Sequence, residues 1–323
     1  MLIKVRKEEQ LKNLLILFVI TFIGIVLFTS LGLNSRNLSF NLPRRALKII
    51  TILIVSFSIG YSSVVFQTLT NNRILTPGIM GLDSLYMFIQ TIVVYFFGSR
   101  ELALMTDTFQ FLISGLIMVG VSLILYVFLF KGQVKNIYFL VLIGMIFGGL
   151  FNGLSNFMQM LLDPNEFLIL QGKMFASFNT INTNLLGVCC IILILCLIAV
   201  IPDFKKLDVL SLGEDQATNL GVDCKTLIRK QMAIISLLIS ISTVLVGPVT
   251  FLGLLIASLA REFVKGFKHG VLIPFAFFIG NIALIYSLLV VERILNFETT
   301  INVIINFIGG IYFIYIILKE NKI

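Results

Sequence analysis

The chain has 323 residues, of which 58% are hydrophobic and only 12% charged, with a formal net charge of +8. A soluble domain carries about 25% charge, so these proportions, with a mean hydropathy of +1.05, exclude a soluble globular enzyme. One crossing of a ~30 Å hydrocarbon core takes about 20 apolar residues as helix, and the apolar content suffices for roughly nine or ten crossings.

Lys4, Arg6, Lys7 and Lys12 precede an apolar stretch from Leu14 to Leu33. Without a small-residue cleavage site, and longer than the 7 to 15 apolar residues of a signal peptide, it reads as a first span. Further spans are expected at 46–70, 79–98, 108–130, 137–161, 184–201, 230–246, 249–260, 271–291 and 301–318, the eighth too short to cross alone. Ten spans put both termini on one side, where 17 of the 24 basic residues then fall, against 7 on the other. That bias places the termini in the cytoplasm and accounts for the positive charge without a nucleic-acid partner. The class is an all-α polytopic membrane protein of about ten helices, with residues 1–323 forming one transmembrane domain.

Asp83, near the start of the third span, is the carboxylate that falls inside the apolar runs; it reads either as a helix cap or as lining of a pathway. The fifth span carries Asn152, Asn156 and Gln159 beside two glycine pairs, Gly144/Gly148 and Gly149/Gly153. A polar stripe of this kind fits a translocation path or a buried helix contact, and the glycines let neighbouring backbones approach closely, as Gly253 and Ala257 do in the eighth span. Cys189, Cys190 and Cys196 share one apolar run and no CxxC occurs. The single histidine, His269, cannot build a zinc site by itself, so neither metal nor cofactor is expected.

The longest polar segment, Pro202 to Arg229, is the one with internal design. Ser211-Leu-Gly-Glu214 reads as a capping box that starts a short helix over 212–220. Gly221 then ends it in a positive-φ conformation, and Asp223 caps the helix that becomes the seventh span. Leu212, Ala217 and Leu220 make the knob amphipathic. At the other side of the membrane Arg44, Arg45 and Arg293 stand out, because arginine is disfavoured there. They read as arginines anchoring helix ends among lipid headgroups.

Two segments carry a family resemblance. One runs from Leu42-Pro43-Arg44 through Phe66-Gln-Thr-Leu-Thr-Asn-Asn72 to Thr76-Pro-Gly-Ile-Met-Gly81; the other is Leu210-Ser-Leu-Gly-Glu-Asp-Gln-Ala-Thr-Asn-Leu-Gly-Val222, continuing to Val246-Gly-Pro-Val-Thr-Phe-Leu-Gly-Leu254 and Ser258-Leu-Ala-Arg261. Together they resemble the FecCD-type permeases, membrane subunits of ABC importers for ferric siderophores, haem and cobalamin. The resemblance implies a ten-span inverted repeat and a second permease subunit, a heterodimer being favoured. It further implies ATPase subunits below and a substrate-binding protein outside.

It also implies that segment 203–229 couples to the ATPase through Gly213, Glu214, Ala217, Leu220 and Gly221, and that Arg44 and Arg293 receive the binding protein. The run Gly81-Leu-Asp-Ser-Leu-Tyr86 is similar to permeases for catecholate and mixed chelates. The chain departs from the family pattern at Thr76, at Ala257-Ser258 and at Gly310-Ile311. No GxxxxGK[ST] loop is present, so energy has to come from another polypeptide. An ion-coupled carrier, for which the Val246-Gly-Pro248 break speaks, is the alternative.

Overall fold

The computed structural model describes residues 2–31, 38–104, 115–121, 137–178 and 183–320. Its order is α1 (Leu2–Ser30), α2 (Leu38–Leu69), a 3₁₀ turn (Pro77–Met80), α3 (Leu82–Leu104, broken at Gly98), α4 (115–121), α5 (Ile137–Met160) and α6 (Pro164–Met174). There follow α7 (Thr183–Val200), a 3₁₀ turn (Ile201–Asp203), α8 (Phe204–Leu210), α9 (Glu214–Asn219), α10 (Cys224–Val246), α11 (Leu252–Val264), α12 (His269–Arg293) and α13 (Ile301–Glu320). Among the described residues the fold is all-helical.

Six of these helices are long and apolar enough to cross a membrane, and two shorter apolar helices lie at Leu82–Gly98 and Ile301–Tyr315. The chain is therefore a multi-pass membrane protein. Most of the predicted fourth span, 108–130, lies outside the described residues. The predicted eighth span is α11, whose 13 residues give a rise of about 20 Å, short of a full crossing.

Helix α2 is the centre of the bundle. It packs along α12, α10 and α11, while α1 covers the far side of α12. A second group, α3 with α5 and α6, stands beside it. Close approach depends on small residues where backbones meet. Gly60 faces Ala276, and a Cβ at Gly280 would lie 3.1 Å from Ser56 Cβ. The expected glycine contacts of α5 divide: Gly148 lies against Gly81, whereas nothing stands within 4 Å of Gly149 or Gly153.

The break between α10 and α11 shows how the fold handles an interrupted helix. Gly247 turns the chain at φ +96, and the carbonyls released there would be costly in hydrocarbon. Val246 O accepts the Ser177 amide at 2.7 Å, and Pro248 O accepts Asn302 Nδ2 at 2.9 Å. Donors from two distant segments thus close the gap.

The finish of α11 and the later part of α13 share a cavity with Ser211 at the end of α8, and α1 meets α11 there as well. Gln10 Nε2 donates to Val264 O at 2.9 Å, and Tyr312 hydroxyl donates to Glu262 at 3.1 Å, both at the finish of α11.

Gly81 has φ +78, and a Cβ there would stand 2.6 Å from Gly148 Cα. Gly81→Ala should therefore cost about 1–3 kcal/mol, read as a lower melting temperature in detergent, while Gly149→Ala should leave it unchanged.

Candidate functional site

The polar segment folds as a knob of two short helices, α8 and α9. The predicted capping box does not form. Helix α8 runs on to Leu210, which leaves Ser211 at its C-terminal end with αR backbone. There the hydroxyl donates back to Asp208 O at 2.6 Å. Gly213, at φ +110 and ψ 151, takes the N-cap position of α9 instead, and the helix covers Glu214–Asn219 rather than 212–220.

The other end of α9 is as expected. Gly221, at φ +84, donates to Thr218 O and Val222 N–H donates to Ala217 O, both at 3.0 Å. This is the paired Schellman closure. Asp223 then caps α10 by accepting the Thr226 amide at 3.2 Å.

The amphipathic reading of the knob needs correction. Ala217 is fully buried, but Leu212 is 49% and Leu220 65% exposed. The apolar side chains at the two shoulders of α9 point outward, with Glu214 and Asp215 exposed between them.

The knob is fastened by two polar chains that the sequence did not reveal. Asp203, 3% exposed, pairs with Lys230 at 2.6 Å and accepts Gln231 Nε2 at 3.0 Å. Gln231 Oε1 in turn accepts the Tyr61 hydroxyl of α2 at 2.5 Å. The second chain starts at Asp208, whose carboxylate meets His269, the first residue of α12. His269 therefore serves as a buried link between helices.

At the opposite end of the bundle the three arginines have different surroundings. Arg45 donates to Phe28 O, Thr29 O and Leu31 O at 2.8–3.1 Å, satisfying the last carbonyls of α1. Arg293 Nη2 reaches the same Leu31 O at 2.6 Å but stays exposed. Arg44 is exposed, with its guanidinium 4.0 Å over the Phe40 ring. Arg293 thus reaches the end of α1, while Arg44 stands in the first turns of α2.

The polar stripe of α5 faces two ways. Asn152 donates to Ser84 Oγ at 2.9 Å, and Gln159 donates to Thr91 at 3.2 Å and to Ser155 at 2.8 Å, which ties α5 to α3. Asn156 is exposed, on the open face that also holds Gly149, Gly153 and Met160. Asp83 is set apart from them. It lines a cavity of about 20 Å³ with Ser63 of α2 and Thr243 of α10. Helix α6 was absent from the sequence reading although its start signals are plain, Asp163 capping Asn165 at 2.9 Å with Pro164 in the first turn.

A family model described as the FecCD transport family matches residues 13–319. The chain is 52% identical over 316 residues to the petrobactin import system permease protein YclO of Bacillus subtilis (strain 168), covering 98% of this chain and 99% of that protein. It is 34% identical to the petrobactin import system permease protein FatC of Bacillus anthracis, covering 98% and 92%. Among solved structures, an inward-facing metal-chelate type ABC transporter superposes with a TM-score of 0.82 at 24% identity, covering 96% of this chain and 99% of that one, which shows a shared fold.

Hydrogen bonds from the Thr226 hydroxyl and amide hold the Asp223 carboxyl below the usual carboxylate range. A folded-state pKa lowered in this way contributes stability above the unfolded value of about 3.9, lost as pH falls through the folded one. Protection of the Thr226 amide against exchange, relative to its intrinsic rate, should fall over that acid range, and in Asp223→Ala should be low at every pH.

Proposed function

The chain belongs to the FecCD transport family, and on that premise we propose that it is the permease subunit of an ATP-driven importer of a ferric siderophore. It forms the translocation path with a second, different permease. The observation that carries the reading is the knob: a short helix pair closed at Gly221 by paired backbone bonds, with Leu212 and Leu220 exposed. Such a projection receives force from a separate ATPase, and the absence of a phosphate loop from the sequence requires that the engine be separate. Gly213, Glu214, Ala217, Leu220 and Gly221 form the coupling element within segment 203–229, and the subunit has no catalytic role of its own.

The knob end is cytoplasmic by the distribution of Lys and Arg, which makes the arginine end the docking face for an extracytoplasmic binding protein. Arg44 and Arg293 keep donors free for partner carboxylates, whereas Arg45 is committed to the end of α1. On the path side, the open α5 face with Asn152, Asn156 and Gln159 offers polar contacts without a tight site, and Asp83 borders the path from the break before α3. The end-to-end likeness to two petrobactin import permeases supports a catecholate or mixed ferric chelate as cargo; haem or cobalamin is the alternative.

The test is reconstitution of the chain with its companion permease, ATPase and binding protein. Ferric petrobactin should accumulate only when all four are present with ATP; uphill uptake by this chain alone would refute the reading. Glu214→Arg and Gly221→Pro should each reduce uptake roughly tenfold or more without lowering the amount in the membrane, since a like charge or a broken cap at a docked surface costs several kcal/mol. Arg44→Glu should weaken binding-protein affinity by roughly tenfold at moderate salt, with the difference shrinking as ionic strength rises.

A further inference from the structure

We infer that His269 is a positioning residue that fastens the knob to α2, so that a displacement of the knob reaches a helix running from the knob to the arginine end. The inference rests on the reading of the chain as an ATPase-driven permease, and concerns how the push leaves the knob.

Asp208 of α8 accepts at Oδ1 both the backbone N–H of His269, at 2.6 Å, and its ring Nδ1, at 2.8 Å. The opposite ring nitrogen, Nε2, lies 2.9 Å from Thr68 Oγ1 near the end of α2. Thr68 is also reached by Arg261 Nη2 at 3.2 Å, and Arg261 Nε donates to Gln67 Oε1 at 3.0 Å. The imidazole is fully buried. An unbroken series of polar contacts therefore runs from α8 through α12 to α2 and on to α11.

Proton placement follows from the partners. A carboxylate only accepts, so Nδ1 carries the proton. The other ring nitrogen, Nε2, meets Thr68 Oγ1, a hydroxyl that also lies 3.1 Å from Val64 O. A planar ring with both nitrogens committed keeps Asp208 and Thr68 in fixed register. Moving one without the other leaves a buried polar group unpaired, which is far costlier than sliding an apolar contact.

The other polar chain ends on the same helix. It runs from Asp203 through Gln231 to Tyr61, and Tyr61 and Thr68 are seven residues apart, two turns along one face of α2. The knob thus holds α2 at two points in line. At its far end α2 is held by the Lys48–Glu292 ion pair to α12 and by Arg45 on α1, one residue from Arg44. Over 32 residues this helix spans about 48 Å.

Contiguity alone does not establish coupling, so the test reads a coupling ratio. In the complete reconstituted importer, ATP hydrolysis is measured with and without ligand-loaded binding protein, together with chelate transported per ATP. Thr68→Val keeps the side-chain shape and removes the hydroxyl, and His269→Asn keeps a donor near Asp208 while losing the reach to Thr68. Both should lower the stimulation ratio and the transport per ATP roughly three- to tenfold, and Thr68→Ser should restore them. The control is Thr70→Val, buried at the same helix end, where the hydroxyl bonds Phe66 O; it should change neither.

If His269→Asn fails to insert, Asp208→Asn carries the same expectation. Ratios that stay unchanged in the inserted Thr68 and His269 (or Asp208) variants, or that fall equally in Thr70→Val, would overturn the inference. A complex containing the unaltered chain that neither hydrolyses ATP nor transports would instead refute the importer reading.

Discussion

Hydrocarbon offers no water to a backbone amide or carbonyl, and this constraint organises the bundle more than any other. At several helix ends among the described residues the structure supplies a donor from elsewhere in the chain. Asn302 and the Ser177 amide close the gap between α10 and α11. Arg45 takes three carbonyls at the end of α1. Arg261 reaches Val64 O near the finish of α2 at 3.2 Å. Residues that look like isolated polar curiosities in the sequence are therefore joints between helices.

The same constraint explains what could be read in advance. Span positions were legible because each demands a long apolar run. Gly221 and Asp223 were legible because helix-ending and helix-starting signals are local: a positive φ and a short acidic side chain act within four residues. Ser211 failed for the complementary reason. The pattern Ser-x-x-Glu is equally present whether the serine opens one helix or closes the preceding one, and α8, which decides between these, leaves no distinctive mark over 204–210. Leu212, Ala217 and Leu220 read as the apolar side of an amphipathic knob, yet a helix of six residues has too little surface to bury a stripe, and only Ala217 goes inside.

Long-range partners were beyond the reach of sequence. His269 and Asp208 are 61 residues apart, and Tyr61 and Gln231 are 170 apart. Nothing in the local sequence of either pair announces the other. Composition had set His269 aside as too solitary for a metal, which is sound chemistry, but solitude in sequence says nothing about hydrogen bonding across the bundle. Helix α6 is the contrasting case: Asp163 and Pro164 announce it locally, and its low apolar content drew attention away because the reading sought spans.

Packing separates a firm part of the molecule from a yielding one. Along α2 the neighbours α11 and α12 come close because glycine and serine face each other, as at Gly280 with Ser56 and Gly253 with Ser63. Close backbones leave little room for one helix to shift without its partners. Helix α5 is different: most of its apolar span is exposed, and Gly149 and Gly153 face open space. Its attachment to α3 runs through side-chain hydrogen bonds from Asn152 and Gln159, which are exchangeable, and through the Gly148–Gly81 contact near the start of α3. A bundle that must open a path for a bulky chelate needs this asymmetry. On the proposed reading, a closely packed core carries a push, and a helix seated mainly by side-chain hydrogen bonds to α3 is the one placed to answer it.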